Sequence, residues 1–568
     1  MAETYEALRR RADQTWAAVE SPSQPQLFVG YGIHGLAAGA PEVLDAIRQA
    51  LAGRKIAADV HQAGGLGLDY AEVIVSVVKP GGPRVFFGSV TSENAVRIVD
   101  EYIAGDTVPE DLMLGATGDL EGTGLPDLFD RPEFKLQRRV ATFSCGIIDP
   151  SNVWHAIARG GYEALHKALT EMSPEDVIAE IEKANLRGRG GAAFPCAMKW
   201  KFLAGAPGPP KYHLCNAEEG DAGAFNDKHL LESDPHRVIE GMILGGYATK
   251  ASGGKGFVFI RIGWDLPITR VQKAIDDAYE LGLLGKNILG SDFDFDIELS
   301  FTGESYVSGE ETALMEAVEG KRAMPRYKPP FPAAFGVWGK PSNINNVKTY
   351  AYVPSIVQNG GDWFASIGTE RSKGTALVCL SGHVNRPGLY EVPFGVTLRQ
   401  VVEEIGGGVP GGKQVKLLQT GGPLGGFLPG SSLDMAIDFD AMIAAGAMFG
   451  SGGIIVGDET VSVVELAAVL AEFNAEESCG KCFPCRIGTR QMADILERLH
   501  EGHGNRRELD AALSIGQTMK SSLCAHGHLA ENPIKSGYRY FQEEFEAKIQ
   551  AGAERSARPP VGSGAVGG

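Results

Sequence analysis

Four cysteines near the C-terminal end of the chain have a spacing that suits metal binding. Cys479, Cys482 and Cys485 form a C-x2-C-x2-C pattern in ESCGKCFPCRIGT, and Cys524 follows in SSLCAHG. Three thiolates on one loop and a fourth from a distant segment suit a [4Fe-4S] cluster, which needs four sulfur ligands. A structural zinc site, which more often uses two C-x2-C pairs, and unligated buried thiols are the alternatives. The pattern therefore predicts an iron–sulfur site.

Other cysteines and histidines are weaker candidates. His526 and His528 lie close to Cys524 in the sequence, but four cysteines already complete the ligand set, so we expect both to be near the cluster or on the surface without ligating it. The remaining cysteines share no ligand spacing and are expected to be small buried side chains: Cys145, Cys196, Cys215 and Cys379.

A glycine-rich loop follows the helical stretch PEDVIAEIEKANL. It reads RGRGGAAFP over residues 187–195, and Lys199 comes shortly after it. Gly188, Gly190 and Gly191 would let backbone N–H groups converge on a phosphate or a flavin edge, with Lys199 supplying positive charge. A helix C-cap followed by a turn would need the same glycines. The loop alone leaves both interpretations open.

An acidic loop, NAEEGDAGAF over residues 216–225, follows the strand-like segment KYHLC. Glu218, Glu219 and Asp221 repel one another unless they are solvated or accept hydrogen bonds from a ligand. Ribose hydroxyls are suitable donors, and a carboxylate that binds the 2′-hydroxyl repels a 2′-phosphate, which would favour NAD over NADP. A solvated surface loop is the alternative.

A third segment, YVSGEET over residues 306–312, opens an amphipathic helix. It is followed by KPPFP, residues 328–332, and then by Asn345 and Asn346. Prolines hold Phe331 at little entropic cost, which suits a plate for stacking adenine or isoalloxazine. A rigid core loop would show the same residues.

The elements that must position these residues indicate an α/β protein of several domains. From Gln26 onward, strands and helices alternate in a thioredoxin-like order, and a larger layered α/β unit with ligand loops at one edge of its sheet follows. A small ubiquitin-like α+β unit and a helical bundle complete the chain. The predicted parts are an N-terminal arm (1–25), the thioredoxin-like domain (26–104), a linker (105–145), the layered α/β domain (146–375), the ubiquitin-like domain (376–455), the helical [4Fe-4S] domain (456–545) and a disordered tail (546–568).

Composition narrows the possible partners. The 568 residues carry a net charge of −18, which repels nucleic acid. Mean hydropathy is −0.08, and no apolar run approaches the ~18 residues of a membrane helix. The N-terminal segment MAETYEALRRRADQTW lacks an apolar signal core, so we expect a cytoplasmic location.

Taken together and in this order, the motifs resemble those of the NADH-binding, FMN-carrying flavoprotein subunit of respiratory complex I. They resemble equally the diaphorase subunits of soluble formate dehydrogenases, hydrogenases and aryl-CoA reductases. The motifs are RGRGGAAFP, NAEEGDAGAF, SDPHRVIEGM, YVSGEETAL, EGKRAMPRYKPPFPAAFGVWGKP, NINNV and ESCGKCFPCRIGT, and the likeness extends over residues 150–545. The resemblance implies that residues 146–375 form a Rossmann-like FMN/NADH-binding domain. The front part is similar to the thioredoxin-like domain fused to this subunit in several soluble complexes.

The resemblance implies roles for individual residues. The residues expected to contact FMN are Gly188, Gly190, Lys199, Asn216, Glu218, Tyr306, Asn345 and Asn346. Those expected to line the NADH site are Phe194, Phe202, Glu219, Asp221, Glu311, Lys328 and Phe331. Gly191 and Glu310 complete the candidate cofactor-binding set, and the cluster ligands are Cys479, Cys482, Cys485 and Cys524.

The sequence also departs from the family pattern. Relatives usually have Asp where Glu218 stands, Gly at Ala193 and Cys at Ser308, and the first two changes are expected to crowd or reposition the flavin pocket. No [2Fe-2S] cysteines occur in the front loops, residues 31–35 and 64–69. We therefore expect the front domain to pack against a partner subunit instead of carrying electrons.

The resemblance implies an NADH:acceptor oxidoreductase. NADH gives FMN two electrons as a hydride, and FMN can release them singly to a cluster that accepts one. The expected partners are subunits of a soluble redox complex, including a [2Fe-2S] thioredoxin-like subunit and a catalytic metal-containing subunit. The alternatives are a non-catalytic scaffold that has lost a cofactor and a zinc-dependent hydrolase.

Overall fold

The computed structural model describes residues 4–557. The first unit consists of α1 (Tyr5–Glu20), β1 (Gln26–Gly30), α2 (Ile33–Ala37), α3 (Ala40–Arg54), β2 (Asp59–Ala63), β3 (Val75–Val78), β4 (Arg84–Phe87), α4 (Ser92–Arg97), β5 (Met113–Thr117) and α5 (Pro132–Lys135). Its sheet has the order β2-β1-β3-β4-β5, in which β1 and β2 are parallel and the other neighbours antiparallel. The core lies between the sheet and α3 with α4.

Two predicted boundaries of this unit differ from the structure. β5 pairs with β4 although it falls in the predicted linker 105–145, so the sheet extends beyond residue 104. A strand of five residues with weak alternation carries little periodic signal, which is why it was not predicted. The predicted N-terminal arm contains α1, whose Leu8 and Ala12 are buried in the core of the second unit.

The second unit is built on four parallel strands. Its elements are α6 (Val153–Ala158), α7 (Glu163–Glu171), α8 (Pro174–Lys183), α9 (Cys196–Gly205), β6 (Tyr212–Ala217), α10 (Asn226–Ser233), α11 (Pro235–Ala248), β7 (Gly254–Arg261), α12 (Asp265–Glu280), β8 (Phe295–Thr302), α13 (Glu311–Val318), β9 (Ser342–Asn346), α14 (Val347–Asn359) and α15 (Gly361–Ala365). The order β8-β7-β6-β9 means that the chain reverses direction across the sheet between β6 and β9. The carboxyl ends of strands at such a reversal leave a crevice for ligands.

The third unit is a mixed sheet. Its elements are β10 (Thr375–Gly382), β11 (Gly388–Pro393), the π-helical turn Gln400–Ile405, β12 (Val415–Thr420), β13 (Gly426–Pro429), α16 (Phe439–Ala444) and β14 (Gly453–Asp458). The order is β11-β10-β14-β12-β13, and only β10 and β14 are parallel among these neighbours. The last strand ends three residues beyond the predicted limit at 455.

The fourth unit is helical, as predicted. It contains α17 (Val463–Glu476), α18 (Phe483–His500), α19 (Arg506–Met519), α20 (Ala525–Leu529), α21 (Asn532–Tyr540) and α22 (Gln542–Ala557). The prediction of a disordered tail is wrong for residues 546–557, because Phe545 and Ile549 pack α22 onto the helical core. Residues 558–568 lie outside the described part of the chain. No helix between residues 4 and 557 is long and apolar enough to cross a bilayer.

The two front loops that lack cysteines face the rest of this same chain. The N–H of Ile33 donates to Glu232 Oε2 at 3.0 Å, and the N–H of Gly65 donates to Ser233 Oγ at 3.1 Å. A further bond joins the Leu389 N–H to the Gly67 carbonyl at 2.9 Å. This face of the first unit is therefore buried against α10 and β11, and the predicted contact with a partner subunit remains a prediction for its other faces.

Candidate functional site

The ends of β6 and β9 bring together two parts of the predicted site. Asn216 and Asn346 are paired in the sheet register, and Asn346 Nδ2 donates to the Asn216 carbonyl at 3.4 Å. Asn346 Oδ1 also accepts from the Lys348 N–H at 3.0 Å and so caps α14. The Asn216 side chain is fixed because its Nδ2 donates to the Gly309 carbonyl at 2.8 Å. The acidic loop follows β6 directly, so it begins at the crevice.

The glycine loop reaches the same point. It is closed by a bond from the Gly188 N–H to the Phe194 carbonyl at 2.8 Å. A Cβ atom at Gly190 would lie 3.0 Å from Cβ of Asn346, so a side chain there would crowd the end of β9. Ala193 has a φ of 52°, a left-handed conformation that glycine adopts at no steric cost. The alanine is therefore accommodated in a backbone shape that suits glycine.

Arg189 holds this loop from inside. Its backbone N–H donates to Thr349 Oγ1 at 2.9 Å, and its guanidinium donates to the carbonyls of Arg187 and Lys373 at 3.2 and 2.8 Å. The guanidinium also lies 4.9 Å from the Phe394 ring centre. Burial lowers the pKa of Arg189 to about 10, which leaves it charged at neutral pH. No sequence signal marked Arg189 as more than a member of the RGRGG run.

All three acidic-loop carboxylates accept hydrogen bonds from the protein, beginning with Glu218 and Glu219. Arg261 Nε donates to Glu218 Oε1 at 2.5 Å. Burial raises the pKa of Glu218 to about 8, although the Arg261 charge opposes the shift. Glu219 accepts from the N–H groups of Asp227 and Lys228 at 2.8 and 3.1 Å, which caps α10. Glu219 is thus a capping residue in this structure.

Asp221 connects the second and third units of the fold. Tyr306 OH donates to Asp221 Oδ1 at 2.7 Å, and Ser451 Oγ donates to Asp221 Oδ2 at 2.5 Å. Burial raises the pKa of Asp221, and the two hydroxyl donors oppose this shift. The third unit also comes close to the glycine loop, where Gly450 is the nearest neighbour to a Cβ placed on Gly191. Sequence analysis missed Ser451, which stands in an otherwise featureless glycine-rich turn.

A group of alternating charges lies beside the crevice. Glu311 forms ion pairs with Lys199 at 3.4 Å and with Lys328 at 3.1 Å. Burial tends to raise the pKa of Glu311, but the two ammonium groups hold it below its usual value. Lys199 also donates to the Ile344 carbonyl at 2.7 Å, and Glu310 caps α13 while it accepts from Lys328 at 3.1 Å. Four predicted site residues are therefore neighbours.

Aromatic side chains border the same region with open faces. Phe194, Phe202 and Phe331 are 45%, 56% and 60% exposed, which leaves their rings free to stack on a planar ligand. Asn345 is buried, and its Oδ1 accepts from Trp200 Nε1 at 3.1 Å. Neighbouring residues on a strand point to opposite faces, so Asn345 lies on the other side of the sheet from Asn346.

The four predicted ligand cysteines surround one cavity. It is lined by Cys479, Cys482, Cys485, Cys524, Val307, Pro325, Lys481, Leu523 and His526. Within residues 4–557, no three His, Cys, Asp or Glu side chains lie close enough to share a single metal ion. The thiols thus border a space instead of converging on a point.

The chemistry of this cavity fits a cluster. Burial raises the pKa of Cys485 to about 12 and that of Cys524 to about 11, so thiolates form there only when bound metal supplies positive charge. Cys482 is the N-cap of α18, and the free N–H groups of a helix N-terminus favour an anionic group. Four thiolates and a helix N-terminus would hold an anionic [4Fe-4S] cluster. The other four cysteines are buried, as predicted.

Tyr306 places the crevice next to this cavity. Its N–H donates to Glu477 Oε2 at 2.8 Å, two residues before Cys479. Its ring lies 5.4 Å from Phe473 and 5.8 Å from His526, centre to centre. Because Tyr306 OH also reaches Asp221, one side chain spans the acidic loop and the helical unit.

Comparison with protein families identifies three regions of the chain. Residues 181–355 match the Nuo51 FMN-binding domain, residues 465–548 the NADH-ubiquinone oxidoreductase-F iron-sulfur binding region, and residues 377–428 the SLBB domain. The first match contains the glycine and acidic loops with β6 to β9. The second contains all four cysteines of the cavity.

Individual proteins similar to this chain belong to the same kinds of complex as the matched families. The NADP-reducing hydrogenase subunit HndC of Solidesulfovibrio fructosivorans is 48% identical over 416 residues, which is 73% of this chain and 84% of that protein. The NADH-quinone oxidoreductase F 2 subunit of Rhizobium meliloti is 44% identical over 394 residues, or 69% of this chain and 93% of that protein. A crystal structure of NAD+-reducing [NiFe]-hydrogenase in the H2-reduced state aligns with 96% of this chain and 87% of its own, at 27% identity and a TM-score of 0.64.

The matched regions and the geometry agree on the cofactors. The FMN-binding region coincides with the crevice at β6 and β9, and the iron–sulfur region coincides with the four-cysteine cavity. The chain is an electron-transferring flavoprotein component of a multisubunit oxidoreductase. It belongs to the family of NADH-binding, FMN- and [4Fe-4S]-carrying flavoproteins that includes the F subunits of the NADH-quinone oxidoreductases.

Proposed function

We propose that this chain exchanges electrons between NAD(H) and a partner subunit through FMN in the crevice and a cluster in the cysteine cavity. The observation that carries the proposal is Tyr306, whose hydroxyl binds Asp221 and whose ring contacts His526 in the cavity wall. The two sites are therefore neighbours within one chain. Bound FMN supplies the conversion between two-electron and one-electron transfer.

The side chains divide between the two ligands according to their positions. For FMN, the loop 188–191 offers backbone N–H groups, Lys199 offers positive charge, and Asn216, Glu218, Tyr306 and Asn346 border the strand ends. For the dinucleotide, the exposed rings of Phe194, Phe202 and Phe331 offer stacking surfaces beside Glu311 and Lys328. Asn345 and Glu219 act indirectly, since one is buried across the sheet and the other caps α10.

Asp221 is the carboxylate best placed to select the dinucleotide. Each of its oxygens accepts one hydroxyl and keeps a second lone pair for a ribose hydroxyl. A carboxylate there would repel a 2′-phosphate, so we expect NADH to be preferred over NADPH. Asp221→Asn should raise the ratio of kcat/KM for NADPH to that for NADH, and an unchanged ratio would remove Asp221 from this role.

The fold suggests the setting in which the chain works. The order β2-β1-β3-β4 supports a thioredoxin-like first unit, and β11-β10-β14-β12-β13 with one parallel pair supports a ubiquitin-like third unit. Such an arrangement suits a soluble cytoplasmic complex of the hydrogenase, formate dehydrogenase, aryl-CoA reductase or complex I type. Its other members would include a [2Fe-2S] thioredoxin-like subunit and a catalytic metal-containing subunit.

Cofactor content and dye reduction test the proposal directly. The full chain, purified without oxygen, should contain one FMN and four irons and should reduce an artificial acceptor with NADH. Lys199→Ala should lose flavin but keep iron, and Cys524→Ala should show the reverse. Colourless, iron-free protein would favour a non-catalytic scaffold. Mass spectrometry of the subunits that purify with the untagged chain would then identify the acceptor.

A further inference from the structure

His526 is not among the residues assigned to either cofactor. Its imidazole is 4% exposed and lines the cysteine cavity. Its ring centre lies 5.8 Å from that of Tyr306, which borders the flavin crevice. His526 therefore stands between the flavin site and the four cluster ligands.

Hydrogen bonding fixes which ring nitrogen carries the proton. Nε2 of His526 lies 2.8 Å from the Asn474 carbonyl, and a carbonyl can only accept, so Nε2 is the donor. Nδ1 is buried and has no hydrogen-bond partner among the described residues. A second N–H, at Nδ1, would be buried without an acceptor, so the neutral ring protonated at Nε2 is the form that this site accommodates. The ring is thus a fixed dipole whose negative end is Nδ1.

We propose that His526 is a positioning residue that lowers the reduction potential of the cluster through this fixed dipole. The Asn474 carbonyl, at the end of α17, binds the positive Nε2–H end, which leaves Nδ1 as the ring nitrogen that no protein group neutralises. A negative end beside a group that gains an electron disfavours its reduced state. The inference rests on the proposed function, since it requires the cluster to be present.

Three variants of the anaerobically prepared full chain test the proposal. His526→Leu removes the dipole, whereas His526→Gln can keep both ends, because its amide N–H can donate to Asn474 and its carbonyl can replace Nδ1. His528→Leu is the matched control: His528 is equally close in sequence and bonds the Ser522 carbonyl at 2.6 Å, but it is not among the residues that line the cavity. The measurement is the cluster midpoint potential, from redox titration followed by electron paramagnetic resonance.

We expect His526→Leu to raise the potential, so that the ratio of reduced to oxidised cluster at a fixed solution potential increases about twofold for a partial charge a few ångströms away. His526→Gln and His528→Leu should match the unmodified chain. An unchanged or lowered potential in the Leu variant, with four irons retained, overturns the proposal. So does an equal shift in His528→Leu.

Iron content shows whether His526 affects the reduction potential of the cluster or only supports the structure around it. If His526→Leu loses iron, His526→Phe preserves a ring of similar size without the dipole, and its potential should rise in the same way. Loss of iron from both variants overturns the tuning role and makes His526 structural. If the unmodified chain itself lacks iron, the proposed function fails, and that failure is seen before any variant is compared.

Discussion

The shape of the glycine loop depends on one buried guanidinium, and Arg189→Lys tests that dependence. Arg189 donates to the carbonyls of Arg187 and Lys373 at 3.2 and 2.8 Å and lies 4.9 Å from the Phe394 ring centre. Arg189 reaches the two carbonyls with two different nitrogens, Nη1 and Nη2, whereas a lysine ammonium has to donate both bonds from one nitrogen. The variant keeps the charge but loses at least one of the two bonds.

The magnitude follows from that loss. A hydrogen bond from a charged donor contributes about 1.5–3 kcal/mol, and each 1.4 kcal/mol is a factor of ten in affinity. If flavin binding has to restore the loop, the Kd for FMN should rise roughly 10- to 150-fold, as measured by fluorescence titration of flavin-free protein.

The matched control is Arg371→Lys, in which the arginine is 77% exposed and pairs with Asp440 only at 3.9 Å. It should leave the Kd unchanged. Iron content should be normal in both variants, because the cysteine cavity shares no residue with this loop. A Kd for Arg189→Lys within about twofold of the unmodified chain would refute the idea that Arg189 shapes the loop.

Two further predictions concern contacts between units. Glu391 is buried and accepts from the N–H groups of residues 140–142 at 2.9, 3.0 and 2.9 Å. Glu391→Gln should lower the free energy of unfolding by about 2–5 kcal/mol, because buried donors lose their acceptor. Urea denaturation measures this effect with the half-exposed Glu403→Gln as control, and equal denaturation curves for the two variants would contradict it. Burial raises the pKa of Glu232 to about 7, above its usual range, so its contribution to stability is present at low pH and is lost as the pH rises through 7. Glu232→Gln should therefore show a smaller fall in Tm between pH 5 and pH 8.5 than the unmodified chain, and parallel profiles would count against burial as the cause.

Local sequence patterns predicted much of the fold where each element has a clear period. The segment PEVLDAIRQAL lies within α3, and QLFVG forms β1 with all five residues buried. The prediction failed for β5 and for α22. β5 is held by pairing with β4, and α22 is held by packing of Phe545 on the helical core, so both depend on distant residues that the local pattern does not contain.

The positions of site residues could be predicted where those residues lie at the ends of strands. Asn216 and Asn346 each lie at the end of a strand, and parallel strands place such residues at one edge of the sheet. The direction in which each side chain turns was not predictable. Glu219 caps α10 because two helix N–H groups lie within its reach, while Asp221 remains at the crevice because Ser451 of another unit binds it. These side-chain orientations depend on tertiary contacts, which the local sequence does not contain.

The internal contacts also limit where electrons can go within the chain. No cysteine precedes Cys145, so the first unit contains none. Its two front loops pack against α10 and β11 and form hydrogen bonds with them. Tyr306, which borders the crevice, contacts the wall of the four-cysteine cavity. The first unit thus packs on the flavin-binding unit without offering a thiolate-bound centre, whereas the cavity lies next to the crevice. Because a cluster that accepts one electron has to pass it on before it accepts the next, we expect the next carrier to approach the helical unit, whose Phe483 beside Cys482 is 67% exposed.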